Sequence, residues 1–304
     1  MQLNTDNPFT RCQPLLERCS LKKLLILSCL LAAASSSALA DNFIYANNAS
    51  FGAPYVFQID KTTGAVTNSY TNLQGNNGRG SVVVGTTLYY TDAGDNHVYA
   101  YNLSTKTQLG SVFTVTGSSA LSTIAYDGTN FWIGDYSGTN HAYLYSPTGT
   151  LLKTISLSKC TGFCDGLEYF VMNNTGYLLS NEEDGAVDNY DLYDTNGNLV
   201  TANYLNTSGH TSGTTGIAFD GTNFYTSNIF QGSFNVWAED GTFIKTLTLS
   251  GNGNLGFLIE DLSADYSQVL PPSEVPEPST LVLVGSSMLG LAGVVRRRFA
   301  RNQK

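Results

Sequence analysis

Short apolar strands separated by polar turns fill the middle of the chain, and one pattern returns at a fixed interval. Residues 124–132 read IAYDGTNFW, and residues 217–225 repeat them as IAFDGTNFY, 93 positions later. An apolar strand that ends in Asp or Asn occurs five times, at intervals of 45, 43, 46 and 47 residues. These positions are Asn47, Asp92, Asp135, Asn181 and Asn228. A regular period of this length is typical of repeat architectures.

Each copy of the repeat predicts four short strands. After the Asp or Asn comes an aromatic strand, such as VYAY at 98–101, and then a turn and a fourth strand. Residues 147–149, 195–197 and 239–241 carry hairpin signals that contain Gly. Four antiparallel strands per repeat are typical of a propeller blade. Residues 41–270 hold close to five periods, which predicts an all-β, five-bladed β-propeller; six blades remain the alternative if a loop hides one.

The ends of this domain predict how the ring closes. The domain opens at a second strand, 43–46, and it ends with an unpaired copy of a first strand, 257–262. Pairing the two within one blade removes two sheet edges that would otherwise invite aggregation. The blade pattern, with its Asp-Gly turn between apolar and aromatic strands, resembles a divergent NHL-type propeller. That resemblance implies a fold and no function.

Residues 1–40 are predicted to be a signal peptide. A positive start, an apolar run and a small-x-small cleavage site follow in order, and the small residues of that site are Ala38 and Ala40. Signal peptidase is therefore an expected partner. An uncleaved anchor is the alternative, which the short apolar run disfavours. Residues 1–20 form an unusually long segment before the apolar run. A translation start near residue 21, in place of residue 1, is the alternative.

The C-terminal end has three parts in order. Residues 271–280 form a linker that contains Pro276, Glu277 and Pro278. Residues 281–295 are apolar and predict a transmembrane helix, at or just under the lower length limit of about 17 residues. Residues 296–304 are a basic tail, whose arginines Arg296, Arg297 and Arg298 stay on the cytoplasmic side. A plain C-terminal anchor is the alternative interpretation.

This three-part end resembles the PEP-CTERM sorting signal of Gram-negative, exopolysaccharide-producing bacteria. The resemblance covers about residues 275–301. It implies that exosortase, a membrane-embedded cysteine protease, recognises Pro276, Glu277 and Pro278 and cleaves near them. The protein is then expected to pass through an inner-membrane intermediate to the cell surface or the extracellular matrix of a biofilm.

Charge is segregated along the chain. Four of the 15 basic residues lie in the leader and five in the tail, so six remain between them against 22 acidic residues. This acidic domain excludes nucleic acid and anionic lipid headgroups as partners. It is compatible with neutral glycans, cations or basic partners, and solubility alone is the simpler explanation. Hydrophobic residues make up 42% of the chain, which argues against disorder.

Few polar residues in the domain suggest a site. Cys160 and Cys164 predict a disulfide in an oxidising compartment, with free thiols or a metal as alternatives. The five Asp and Asn positions could line one channel mouth and bind Ca²⁺, but recurrence in every blade favours turn capping. Glu182, Glu183 and Asp184 are weak metal candidates in an acidic loop without calcium-loop spacing, so no cofactor is firmly predicted.

No catalytic motif is apparent in the sequence. The three histidines are His97, His141 and His210, and carboxylates available to a glycosidase are Asp92, Asp135, Asp165 and Glu168. Aromatic side chains that could stack on sugars are Phe51, Tyr136 and Phe230. We therefore expect a non-enzymatic binding or structural module, linked to exopolysaccharide. The alternatives are a glycan hydrolase or lyase and a calcium-stabilised scaffold.

Overall fold

Five antiparallel four-stranded sheets make up the domain. The computed structural model describes residues 42–48, 55–75, 77–160, 164–181, 189–211, 213–252 and 256–269. Blade 1 contains β20 (Ile259–Ser263), β1 (Phe43–Asn48), β2 (Tyr55–Asp60) and β3 (Val66–Tyr70). Blade 2 contains β4 (Gly78–Val84), β5 (Thr87–Asp92), β6 (His97–Asn102) and β7 (Thr107–Thr114).

The other three blades repeat this order. Blade 3 contains β8 (Leu121–Tyr126), β9 (Phe131–Asp135), β10 (His141–Tyr145) and β11 (Leu151–Ser156). Blade 4 contains β12 (Leu167–Met172), β13 (Thr175–Asn181), β14 (Tyr190–Asp194) and β15 (Leu199–Leu205). Blade 5 contains β16 (Ile217–Phe219), β17 (Asn223–Asn228), β18 (Ser233–Ala238) and β19 (Phe243–Thr248). The prediction of an all-β propeller with five blades is confirmed.

The ring closes as the sequence predicts. Strand β20 pairs antiparallel with β1, and Asn47 lies opposite Asp261. The closing strand starts at Ile259, two residues later than expected, and the backbone N–H of Leu258 instead donates to Oδ1 of Asn48. Because the first and last strands share a blade, neither presents a free edge there.

The core lies between neighbouring blades. Successive side chains of a strand point to opposite faces, so adjacent residues of one inner strand pack on different neighbours. Val83 packs with Tyr45 of blade 1, whereas Val82 packs with Ile124 of blade 3. A glycine precedes the inner strand of blade 5, where two blades approach closely: a Cβ on Gly216 would lie 2.2 Å from Cα of Asp261.

The outermost strand of each blade carries a bulge at an equivalent position. At this position the pairing with the third strand skips one residue, and these residues are Thr67, Leu109, Leu152, Val200 and Ile244. The four aliphatic members are about half exposed. Strands β7 and β15 each carry a second irregularity. Bulges and twist on an edge strand hinder pairing with another chain.

A short helix, α1 (Tyr266–Val269), follows the closing strand. We call the face where the inner strands begin the upper face and the face where they end the lower face. The N–H of Gly85, just beyond β4, donates to Asp265 Oδ1 at 2.8 Å, which places α1 at the lower face. The hydrophobic core consists of five clusters of side chains, and Val269 packs against three of these core clusters, so α1 covers the lower opening of the channel.

No helix within the described ranges is long and apolar enough to cross a membrane. The predicted signal peptide, 1–40, and the predicted transmembrane helix, 281–295, lie outside those ranges.

Candidate functional site at the channel mouth

The five repeated Asp and Asn residues end the second strands of the five blades, at the upper face. All five side chains are buried. They are Asn47, Asp92, Asp135, Asn181 and Asn228. Their equivalence follows from the repeat, because each stands at the same point of its blade.

Hydrogen bonds to nearby loops occupy most of these side chains. Asp92 accepts from the N–H groups of Asn77 at 2.8 Å and Gly94 at 2.7 Å. Asn181 Oδ1 accepts from the N–H of Gly166 at 2.9 Å. The bonds from Asn77 and Gly166 fasten the loop that leads into the inner strand of the same blade, whereas the bond from Gly94 closes the turn after β5. The amide of Asn47 instead donates to the carbonyl oxygens of Arg79 and Gly80, so it ties blade 1 to blade 2. Asn228 donates to the side chain of Gln231.

Asp135 is held as a carboxylate by hydroxyl groups. Its Oδ1 accepts from the Ser118 hydroxyl and the Ser137 N–H, both at 2.7 Å, and its Oδ2 accepts from Thr139 and from Tyr143 at 3.3 Å. Burial opposes ionisation, but the hydrogen bonds from Ser137, Thr139 and Ser118 outweigh it and lower the pKa of Asp135. An acid of this kind has no proton to donate near neutral pH.

Arg79 crosses the mouth of the channel and connects four blades. It begins at β4 of blade 2, and its Nη1 lies 2.9 Å from Glu260 of blade 1 and 3.7 Å from Asp165, just before blade 4. Its Nη2 donates to the hydroxyl of Tyr136, after β9 of blade 3, at 2.9 Å. The guanidinium carbon also lies 4.3 Å from the centre of the Tyr136 ring. Burial opposes the charge of Arg79, but Glu260 and Asp165 raise its pKa.

Sequence reasoning missed Arg79 and Glu260. One signal was available, because Arg79 is the only arginine between residues 41 and 295. An arginine that is alone in an acidic domain is a candidate for a central ion pair, since burying carboxylates requires a compensating cation.

Two further carboxyl groups lie inside the channel, on inner strands. Glu168 of β12 and Asp261 of β20 are each 1% exposed. The hydroxyl of Tyr266, from α1, lies 2.6 and 2.5 Å from the two oxygens of Glu168. Asp261 Oδ2 accepts from the N–H of Ser81 at 2.9 Å and from the Thr123 hydroxyl at 3.2 Å.

Burial raises the pKa of Glu168 and of Asp261 well above the usual range, and Asp261 raises that of Glu168 further. Within the described ranges, neither forms an ion pair with a basic side chain. A protonated Glu168 can donate to the Tyr266 hydroxyl while accepting from it, which satisfies both groups. These buried hydrogen bonds connect polar groups of blades 1, 2, 3 and 4 with α1 inside the channel.

The histidines lie away from the mouth. His97 starts β6, and its Nδ1 lies 3.2 Å from the Ser111 hydroxyl of the outermost strand. His141 starts β10, opposite Ser156 of the outermost strand. His210 stacks on Phe243 with ring centres 3.8 Å apart. The structure does not bring any of them to the carboxylates considered for catalysis.

The aromatic candidates differ in availability. Phe230 lies in the turn after β17 at the upper face and is 71% exposed. Its ring packs beside Gly213, where a Cβ would lie 2.8 Å from it. Tyr136 is occupied by Arg79, and Phe51 lies outside the described residues. Phe230 is thus the aromatic candidate that offers a free ring face.

Several predicted site residues fall outside the described ranges. They are Ala38, Ala40, Glu182, Glu183, Asp184, Pro276, Glu277, Pro278, Arg296, Arg297 and Arg298. Cys160 and Cys164 are described, and the structure joins them as a disulfide with Cα atoms 5.7 Å apart. No group of three or more His, Cys, Asp or Glu side chains suited to a metal ion occurs in the described part of the chain.

Fold and mouth together define a five-bladed β-propeller with a plugged channel. Residues 274–298 match the family model of the PEP-CTERM protein-sorting motif. Such signals are processed by exosortase, and they mark an exported protein that is anchored in the membrane and then secreted.

Comparison with solved structures supports the fold. A chain in the crystal structure of a nidogen/laminin complex is 12% identical, covers 74% of this chain and 99% of its own, and has a TM-score of 0.51. The computationally designed Ika4 protein is 18% identical over 59% of this chain and 94% of its own, with a TM-score of 0.33. At such low identity the first likeness shows the fold alone. No curated protein matches the chain.

Proposed function

We propose that the propeller is a non-enzymatic binding module of the extracellular matrix, with NHL-like blades, and that it contacts neutral exopolysaccharide through its upper face. Pro276, Glu277 and Pro278 are the proposed recognition residues for exosortase, and signal peptidase is the proposed partner at residues 38–40. The observation that carries the sugar proposal is the exposed ring of Phe230 on the upper face. An aromatic ring offers a large apolar face at little cost in conformational entropy, which suits stacking on a pyranose.

The state of the carboxylates supports a non-enzymatic role. Asp92 and Asp135 are fixed by hydrogen bonds, Asp165 lies near Arg79, and Glu168 is buried under the mouth. A glycosidase needs one protonated and one ionised carboxyl group facing the same sugar. Asp135, whose pKa is lowered, lies at the upper face, whereas Glu168, whose pKa is raised by burial, is enclosed by Tyr266.

Substitution of Phe230 tests the sugar contact. Phe230→Ala should weaken binding of purified neutral exopolysaccharide about two- to tenfold, since a stacking contact contributes roughly 0.5–1.5 kcal/mol. Leu109→Ala is the matched control, because Leu109 is similarly exposed, at 57%, but lies on the outer rim. Binding is measured by co-sedimentation and on an array of neutral glycans. Wild-type protein that binds neither probe would remove the sugar part of the proposal.

A matrix-glycan hydrolase or lyase is the second candidate, favoured by the raised pKa of the Glu168 carboxyl. Release of oligosaccharides from the same polysaccharide, lost in Asp135→Asn, would establish it in place of the binding module. We propose no cofactor for either function, so EDTA should leave the melting temperature unchanged.

A further inference from the structure

The last described residues of the domain lie at the channel axis on the lower face. Asp265 caps the end of β4, and α1 follows directly. Val269, the last described residue, contacts three core clusters and lies 3.6 Å from a Cβ built on Gly221, in the hairpin of blade 5 at the lower face. The exit point is therefore central and firmly attached.

The tether to the sorting motif is short. Pro276 lies seven positions after Val269, and a fully extended chain of that length spans at most about 25 Å. The matched motif begins even earlier, at residue 274.

This length decides which face can lie toward the membrane. If the upper face lay toward the membrane, the tether would first have to cross the four strands of a blade from the channel axis to the rim, about 19 Å. It would then have to run along the height of a six-residue strand to reach the upper face, about 20 Å. That path of about 40 Å exceeds the tether. With the lower face toward the membrane, the path has no such detour.

We propose that, while the sorting motif is held at the membrane, the propeller stands with its lower face toward the bilayer and its upper face away from it. The surface formed by Phe230 and the loops around the mouth is then open to extracellular ligands before release. The orientation is independent of which ligand binds there. It needs no affinity of the acidic domain for lipid, because the tether alone imposes it.

Fluorescence quenching on the anchored full chain tests this orientation. A fluorophore is attached to Thr129→Cys in the lower hairpin of blade 3, or to Ser119→Cys in the upper loop of the same blade; both positions are exposed. Cys12, Cys19 and Cys29 are replaced by serine in both variants. The protein is reconstituted in phosphatidylcholine vesicles that carry a spin label on the lipid headgroup. Without the protease, eleven residues lie between Val269 and the apolar run, and this stretch spans at most about 42 Å at full extension, so an inverted propeller would require an almost fully extended tether.

The label at position 129 should be quenched at least twofold more strongly than the label at position 119. Equal quenching, no quenching of either label, or stronger quenching at position 119 would overturn the proposal. Insertion of 20 Gly and Ser residues after residue 273 should abolish the difference. A difference that survives the insertion would show that lipid binding orients the domain, which contradicts a role for the tether.

Discussion

At the scale of single residues, the channel is organised by side chains that accept hydrogen bonds from the backbone N–H groups on the free edge of an inner strand. Three side chains at every second position from Asp261 to Asp265 accept from backbone N–H groups of β4 and the turn after it. The pairs are Ser81 with Asp261, Val83 with Ser263, and Gly85 with Asp265. A buried N–H without a partner is costly, so these side chains substitute for the missing neighbouring strand.

Glu168 should make stability depend on pH. Burial raises its pKa above the ordinary value of 4.5, so the folded state binds more protons than the unfolded state above that pH. The stabilising contribution is complete below about pH 4.5 and is lost as pH rises toward the folded pKa. Glu168→Gln keeps a donor and an acceptor for Tyr266 but removes this loss. The fall in free energy of unfolding between pH 5 and 7 should shrink by up to about 1.4 kcal/mol per pH unit.

Urea unfolding at pH 5, 6 and 7 provides the measurement. The exposed Glu239→Gln controls for the loss of one carboxylate on the surface. A Glu168→Gln protein with the full wild-type pH slope would show that this carboxyl is ionised in the fold, against the burial argument.

At the scale of elements, close contact between inner strands explains where the blades need glycine. Gly166 lies against the carbonyl oxygen of Thr215, and Gly216 lies against the backbone of Asp261, so each glycine marks a junction between consecutive blades. The opposite situation occurs at the rim, in the bulges of the outermost strands. There, exposed aliphatic residues occupy the bulge position, which has no partner on the third strand. The inner strand of each blade thus packs closely against the neighbouring blades, whereas the outermost strand discourages pairing with another chain.

Gly216→Ala should destabilise the domain by about 2–4 kcal/mol, because the added Cβ meets backbone atoms that cannot move aside. Gly209→Ala is the control: its site is open, and only the φ of 81° is strained, which costs roughly 1–2 kcal/mol. Thermal unfolding of both variants gives the comparison. A smaller loss for Gly216→Ala than for Gly209→Ala would contradict tight packing at the junction of blades 5 and 1.

At the scale of the whole molecule, the ring is closed by strand pairing and by an ion pair at the junction of blades 5 and 1. Lys61 follows β2 of blade 1, and its Nζ lies 2.8 Å from Asp220, which follows β16 of blade 5. Their side chains are 16% and 6% exposed, so the pair is largely removed from water. The two residues are 159 positions apart, and they meet only when the ring is complete.

Lys61→Met should cost about 2 kcal/mol, because it leaves the buried Asp220 carboxylate without its cation. Lys245→Met, at an exposed lysine of blade 5, should cost less than about 0.5 kcal/mol. Urea unfolding at low and high salt measures both. Equal losses in the two variants would show that the Lys61 pair does not support ring closure.

Much of the fold follows from local signals. The repeated DGTN turns, the aromatic third strands and the paired remnants at 43–46 and 257–262 sufficed for the blade count and for the closing pair. The candidate site was predictable only in part: the repeated Asp and Asn residues were identified, but their burial and their bonds to inner-strand loops were not. Arg79 escaped notice because it belongs to no repeat.

Sequence by itself determined the strands, the period of the ring and the sorting motif, because each depends on neighbours along the chain or on a contiguous segment. The tertiary structure alone decided which polar groups meet in the channel. Arg79 lies 86 positions from Asp165 and 181 from Glu260, and Glu168 lies 98 from Tyr266. Such contacts arise from the angle between blades and the depth of the channel, which no local pattern records. For the same reason, only the folded ring shows that the last described residues lie at the centre of the lower face.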